Sequence, residues 1–212
     1  MKRKKESDEY VEKTLENVVG DVHVVEYDEK HWELLKKLRS KAVKVMEVLS
    51  RFSPLVHGSV ARGDVREDSD VDIFLQSVSV PSLVENVLRQ SFTIVSREVV
   101  LATPHYVVKG VIELSENVFV TFAFSNLTKR ERLFYKFGGE LELSELKRGV
   151  RVPGCTKELK VIVPTSTGHV EFPLEGNEVT VSRLLGIDLE IIKERVYILK
   201  RRKEQGRTGL FY

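Results

Sequence analysis

The longest regular pattern of hydrophobic positions in this chain lies between residues 28 and 52. Leucine, alanine, valine and methionine recur there at intervals of three and four residues, which places them on one side of an α-helix. Asp28 directly precedes the pattern, and aspartate is a common helix-capping residue. The pattern therefore predicts a helix from about Asp28 to Phe52, ended by Ser53-Pro54, that packs on a core through one face.

Shorter hydrophobic segments around this helix have the length or the alternation of β-strands. The sequence predicts strands at 22–27, 55–57, 70–75, 93–95, 99–101, 157–163 and 169–174, and a hairpin at 106–125 that turns at 115–117. Further helices are predicted at 81–90, 129–137, 141–147, 179–185 and 188–203. We therefore expect an α+β fold, in which helices pack on a mixed β-sheet.

The order of the predicted elements changes near residue 150. Beyond the segment Val152-Pro153-Gly154, two strands are followed by two helices. The pattern predicts an N-terminal arm with a short strand at 1–27, a main domain at 28–150 and a C-terminal accessory unit at 151–212.

Composition narrows the functional classes. Hydrophobic residues make up 42% of the 212 residues, which is enough for a packed core, and the formal net charge of +2 does not require a nucleic-acid partner. The charged fraction of 31% exceeds the usual quarter and suggests a thermophilic source. Cys155 is the only cysteine, so an intramolecular disulfide and a four-cysteine zinc site are excluded. No hydrophobic run is long enough to span a membrane and no signal peptide is recognisable, so we expect a soluble cytoplasmic protein without a membrane partner.

Candidate chemistry is concentrated where the predicted strands 55–57 and 70–75 meet the adjoining loop. Gly58-Ser59 follows the first strand, and the second carries Asp70 and Asp72. Side chains two residues apart on a strand point to the same face, so these two carboxylates project together. Adjacent carboxylates repel unless a cation lies between them, and magnesium binds such oxygen ligands together with substrate phosphates.

The Gly-Ser pair and a nearby arginine have properties suited to phosphate binding. Gly58 allows backbone N–H groups to approach a phosphate closely, and a helix that begins directly after it would direct its positive end there. Arg62 adds a cation that can donate two parallel hydrogen bonds to phosphate oxygens.

The motif His57-Gly58-Ser59, followed after ten residues by Asp70-Val71-Asp72-Ile73, resembles the signature of the nucleotidyltransferase superfamily. That superfamily includes DNA polymerase β and kanamycin nucleotidyltransferase, and the resemblance covers about residues 45 to 125. It implies a polymerase β-like fold. It also implies an enzyme that moves a nucleoside monophosphate from a nucleoside triphosphate to a hydroxyl acceptor and releases pyrophosphate.

The resemblance also implies roles for individual residues. Asp70 and Asp72 would be the catalytic carboxylates that hold two magnesium ions, and Gly58, Ser59 and Arg62 would hold the β and γ phosphates. The acceptor stays open, because an RNA end, a protein hydroxyl or a small alcohol would each satisfy the reaction.

One expected residue has no clear match in the sequence. The superfamily has a third carboxylate on a later strand, and the corresponding position here falls near Thr121. Glu113, on the preceding predicted strand, is the nearest substitute, although a residue so close to a turn is also typical of a solvated surface position. Without a third acid, the domain could bind nucleotide without efficient transfer.

The last two predicted helices, at 181–203, resemble the paired helices of a helix-turn-helix unit. Basic residues on or near the predicted exposed side would be available for DNA phosphates: Lys193, Arg195, Lys200, Arg201 and Arg202. A helical hairpin that closes the catalytic domain, or that forms a dimer face, explains the pattern equally well. The alternative to an enzyme is therefore a weakly active or inactive nucleotide-binding domain that regulates through DNA.

Overall fold

The computed structural model describes residues 11–75, 80–101 and 106–206. The strands are β1 His23–Glu26, β2 Leu55–His57, β3 Val71–Leu75, β4 Ile94–Val100, β5 Lys109–Leu114, β6 Val118–Ala123, β7 Glu140–Glu142, β8 Gly154–Cys155, β9 Lys160–Pro164 and β10 Gly168–Pro173. The helices are α1 Glu29–Val48, α2 Ser59–Arg62, α3 Pro81–Arg89, α4 Lys129–Phe137, α5 Leu143–Lys147, α6 Glu178–Leu185 and α7 Leu189–Gln205, and residues 11–15 are also helical. Residues 1–10 of the predicted N-terminal arm lie outside the described residues.

The main sheet has six strands in the order β4-β5-β6-β3-β2-β7. Strand β3 runs parallel to β6, whereas the other neighbours are antiparallel, so the sheet is mixed as the sequence predicted. Val56 and Ile73 are fully buried on the face that packs against α1 and α3. The opposite face carries His57 and Asp72, which keeps the polar residues of these strands away from the main core.

A second, antiparallel sheet has the order β1-β10-β9-β8. Helices α6 and α7 pack on it through a separate hydrophobic core that includes Val161, Phe172 and Ile192. Helix α7 also packs against α4. The second sheet with its helices therefore lies directly against α4, the helix that covers the polar face of the main sheet.

Local signals in the sequence set most element boundaries. The side chain of Asp28 accepts a hydrogen bond of 2.8 Å from the backbone N–H of His31, which begins α1 as predicted. Thr128 and Glu131 form a capping box at the start of α4. Within the described residues, no helix combines the length and the hydrophobicity that crossing a membrane requires.

Some predicted elements differ from the structure. The segments predicted as separate strands at 93–95 and 99–101 form the single strand β4, whose register with β5 shifts between Ile94 and Ser96. The helix predicted to begin at 141 begins at Leu143, because residues 140–142 pair with β2 as β7. A three-residue strand of this kind is stabilised by its partner, so local sequence does not reveal it.

Candidate active site

The antiparallel pairing of β2 and β3 brings the two predicted motifs together. His57 lies directly opposite Asp72, so the Gly58-Ser59 turn that follows β2 lies beside the start of β3. Gly58, Ser59, Asp70 and Asp72 all line one cavity of about 500 Å³. Motifs that are separated by ten residues in sequence thus share one site because two neighbouring strands run in opposite directions.

Gly58 has a backbone conformation that few other residues adopt. Its φ is 78° and its ψ is −148°, a region populated essentially by glycine. Its carbonyl oxygen accepts hydrogen bonds from the backbone N–H groups of Ala61 and Arg62, which closes the single turn of α2. A Cβ atom at this position would meet no atom within 4 Å, so the requirement for glycine is conformational rather than steric.

The electrostatics of the aspartate pair favour a cation. Burial, and then the neighbouring carboxylate of Asp70, raise the pKa of Asp72 from 3.8 to about 6, although Lys157 opposes the shift. Ionised Asp72 is therefore costly in the metal-free protein, because it is partly desolvated and faces a like charge. A divalent cation between the two carboxylates would offset this cost.

We expect Asp72 to titrate near pH 6 in the metal-free protein, as measured by the ¹³C chemical shift of its carboxyl carbon. Because its folded pKa exceeds its unfolded value, the free energy of unfolding should fall as pH rises from about 4 through about 6. Burial is the larger cause, so Asp70→Asn should lower this pKa only part of the way to its ordinary value. A wild-type titration near pH 4 would contradict this account.

Arg62 lies at the cavity, but its guanidinium is already engaged. Its Nε and Nη2 donate hydrogen bonds of 2.9 Å to the two carboxylate oxygens of Asp64, and its Nη1 donates to the carbonyl oxygens of Gly138 and Cys155. The residue is only 6% exposed. The structure therefore shows that Arg62 ties the Gly-Ser loop to two other segments, and the phosphate contact expected from sequence stays a prediction.

Glu113 does not reach the site. Its carboxylate accepts a hydrogen bond of 2.7 Å from Ser96 Oγ, and it does not line the cavity. In the sheet register it shares a row with Asp72, but Phe119 of β6 stands between them, which separates the two backbones by roughly 10 Å. The described residues contain no group of three or more potential metal ligands, so no third acid joins Asp70 and Asp72.

Aromatic residues of α4 cover the polar face of the sheet beside the aspartates. The ring of Tyr135 stacks on Phe74 at a centroid distance of 3.6 Å and contacts His57 edge-on at 5.2 Å. Burial lowers the pKa of His57 to about 4, so its imidazole is neutral at pH 7. Sequence reasoning did not predict Tyr135 as a site residue, because its position depends on how α4 packs on the sheet.

Further basic residues line the rest of the cavity, one from the loop between the two motifs and four from distant segments. They are Arg66, Lys109, Lys157, Arg195 and Arg202. None of them belongs to the Gly-Ser or Asp-x-Asp motif, and the last three come from the accessory unit. The sequence showed only that the C-terminal helix is rich in basic residues.

The exposed basic face predicted for the last helix is only partly present. Arg195 lies largely buried over the rings of Phe134 and Phe137, at 5.1 and 5.4 Å, and it lines the cavity. Lys193 and Lys200 form ion pairs with Glu190 and Glu175. Two strands, and no additional helix, directly precede α6, so the helix-turn-helix resemblance stays a prediction.

The donors at the aspartate pair fit one magnesium ion. Magnesium is commonly bound by one or two carboxylates and completes its shell with water and substrate phosphates, and the cavity offers two adjacent carboxylates beside open space. The second ion implied by the family resemblance has no further carboxylate among the described residues. The ion count therefore stays a prediction.

Comparison with known proteins agrees with the motif. Residues 33–116, less than half of the chain, match the family model described as "Nucleotidyltransferase domain", which confirms the resemblance for this segment. The solved "structure of GLD-2/RNP-8 complex" aligns at 18% identity with a TM-score of 0.32, over 62% of this chain and 52% of that one. The alignment thus spans about half of that protein and is too weak to establish a shared fold. No curated protein matches the chain.

Proposed function

We propose that this protein, whose residues 33–116 match a nucleotidyltransferase domain, is a magnesium-dependent nucleotidyltransferase. It would move a nucleoside monophosphate from a nucleoside triphosphate to a hydroxyl acceptor and release pyrophosphate. The observation that carries the proposal is the convergence of the Gly58-Ser59 turn and the Asp70–Asp72 pair on one cavity.

Each motif would supply a different part of the reaction. The backbone around Gly58 and Ser59 would donate hydrogen bonds to the β and γ phosphates, where negative charge builds as pyrophosphate leaves. Asp70 and Asp72 would bind magnesium, which when bound screens the phosphate charge and orients the attacking and leaving oxygens. Lys157, close enough to Asp72 to lower its pKa, would add positive charge beside the phosphates.

Transfer should require a divalent metal and yield stoichiometric pyrophosphate. We expect label from an α-³²P nucleoside triphosphate to appear on an acceptor in the presence of magnesium and to disappear with excess EDTA. The assay would offer an oligoribonucleotide, the protein itself and glycerol as acceptors, in separate reactions with each of the four triphosphates. Transfer that persists in EDTA at the same rate would contradict a metal-dependent mechanism.

A second candidate is a domain that binds the triphosphate without transferring it efficiently. The observation that favours it is the lack of a third acid beside Asp70 and Asp72 among the described residues. Magnesium-dependent binding of ATP, measured by calorimetry, without pyrophosphate release from any of the four triphosphates would support this candidate over the enzyme.

If the second candidate regulates through DNA, its C-terminal helices would also bind duplex DNA. Such binding would weaken steeply with salt and would be lost when the chain is truncated after about residue 175.

A further inference from the structure

The candidate cavity has a second, basic end that neither sequence motif explains. Lys109 of β5 and Arg195 and Arg202 of α7 line it together. In the sheet register, Lys109 is two strands and four residue positions away from Asp72, so their backbones are separated by roughly 16 Å. The backbone of Lys109 is therefore well separated from the aspartates, and its Nζ reaches the ring of Tyr135, which also contacts His57 opposite Asp72.

Acidic side chains only partly balance the charge of these three cations. Within the described residues, Lys109, Arg195 and Arg202 form no salt bridge, and Arg195 Nε is buried without a hydrogen-bond partner. The nearby carboxylates also have other partners: Glu131, which lines the same cavity and acts on Lys109, accepts from Val107 and Thr128, and Glu194 pairs with Arg130.

The three cations also influence one another. Burial lowers the pKa of Lys109, and the neighbouring Arg195 lowers it further, although Glu131 opposes the shift. The pKa of Arg195 is likewise lowered, first by burial and then by Arg202. Partly desolvated like charges that face one cavity are costly unless an anion joins them.

Aromatic rings hold two of these cations in place. Arg195 lies over the rings of Phe134 and Phe137, and the Nζ atom of Lys109 lies 4.8 Å from the ring centre of Tyr135. A guanidinium that lies over an aromatic face keeps the N–H groups at its edge available to donate hydrogen bonds. The guanidinium fork matches phosphate oxygens, and several cations around one cavity favour a multiply charged group.

We infer that Lys109, Arg195 and Arg202 form a phosphate-binding end of the cavity, so that the accessory unit completes the site through helix α7. This inference rests on the proposed function, because it places a second phosphate contact opposite the aspartate pair. The phosphate would belong either to the triphosphate of the nucleotide or to a phosphorylated acceptor, and these two sources share the same chemistry.

Charge removal on α7 tests the inference. Arg195→Gln and Arg202→Gln should each weaken binding of a phosphate probe about tenfold, as expected for the loss of a charge-assisted hydrogen bond. Arg201→Gln is the matched control, because it removes the same charge from the same helix, where Arg201 contacts Gln205 and does not line the cavity. Binding of magnesium-ATP, inorganic tripolyphosphate and a fluorescent single-stranded oligoadenylate would be measured with the full chain.

The probe that is affected identifies the source of the phosphate. Weaker binding of ATP and tripolyphosphate would assign the basic end to the nucleotide, whereas weaker binding of oligoadenylate alone would assign it to the acceptor. If the Arg195→Gln and Arg202→Gln variants bind every probe as tightly as the Arg201→Gln control does, the inference is overturned. Arg202 is exposed, so Arg202→Gln remains informative even if Arg195→Gln unfolds, which circular dichroism would show.

A parallel Asp70→Asn/Asp72→Asn variant separates this inference from the proposed function. If magnesium no longer strengthens ATP binding in that variant while the α7 variants bind like wild type, only the inference about the basic end fails. If magnesium strengthens ATP binding in the aspartate variant as it does in wild type, the proposed magnesium site itself is wrong.

Discussion

Replacing Asp70 and Asp72 together by asparagine is expected to lower the rate of pyrophosphate release about a thousandfold, because the phosphates lose the metal that screens their charge. The same change should raise the free energy of unfolding of the metal-free protein at pH 7 by about 1 kcal/mol. The reason is that ionised Asp72 is partly buried beside a like charge, although solvent screens part of that cost. Loss of activity with a gain in stability would show that the pair is kept for function.

Pyrophosphate release in a coupled assay and urea unfolding in EDTA would measure the two effects. Glu67→Gln is the control, since Glu67 is an exposed acid in the same loop that does not line the cavity. Unchanged pyrophosphate release in the double variant would mean that the aspartates are not the catalytic carboxylates.

Replacing Arg62 by methionine is expected to lower the free energy of unfolding by about 3 kcal/mol, because Asp64 would be left as an unpaired and largely buried charge. Two carbonyl oxygens, of Gly138 and Cys155, would lose their donor as well. Urea unfolding at pH 7 would measure the loss. Arg66→Gln is the control, because Arg66 lines the same cavity with an exposed side chain and should change stability by less than about 0.5 kcal/mol.

A companion variant separates the structural role of Arg62 from phosphate binding. Adding Asp64→Leu to Arg62→Met should recover part of the lost stability, since no unpaired carboxylate would remain. If Arg62→Met alone had wild-type stability and a raised KM for the nucleoside triphosphate, the result would instead support the phosphate contact that the sequence suggested.

Local sequence signals predicted the elements that carry the two motifs. The strand at 55–57 was predicted with the bounds that the structure shows, and α4 was predicted from its Thr128 cap to Phe137. Spacing alone also implied that Asp70 and Asp72 project together, because strand geometry repeats every two residues. These features depend on neighbours in sequence, so they can be read without knowing the fold.

Long-range features were predicted less well. Glu113 could not be excluded from the sequence, because its distance from Asp72 depends on the intervening strand β6 and on its bond to Ser96. The side chain of Arg195 was expected on an exposed face, but the packing of α7 on α4 directs it over two phenylalanine rings.

The sequence by itself determined the match to a nucleotidyltransferase domain, since a glycine-serine turn and two aspartates at the start of a strand are local arrangements. Only the tertiary structure decided which cations accompany them, because Arg62 donates to the carbonyl oxygens of Gly138 and Cys155, and helix α7 contributes cations from more than a hundred residues away. The physical reason is that backbone geometry acts over a few residues, whereas pairing and burial of charges depend on segments that meet only when the chain folds.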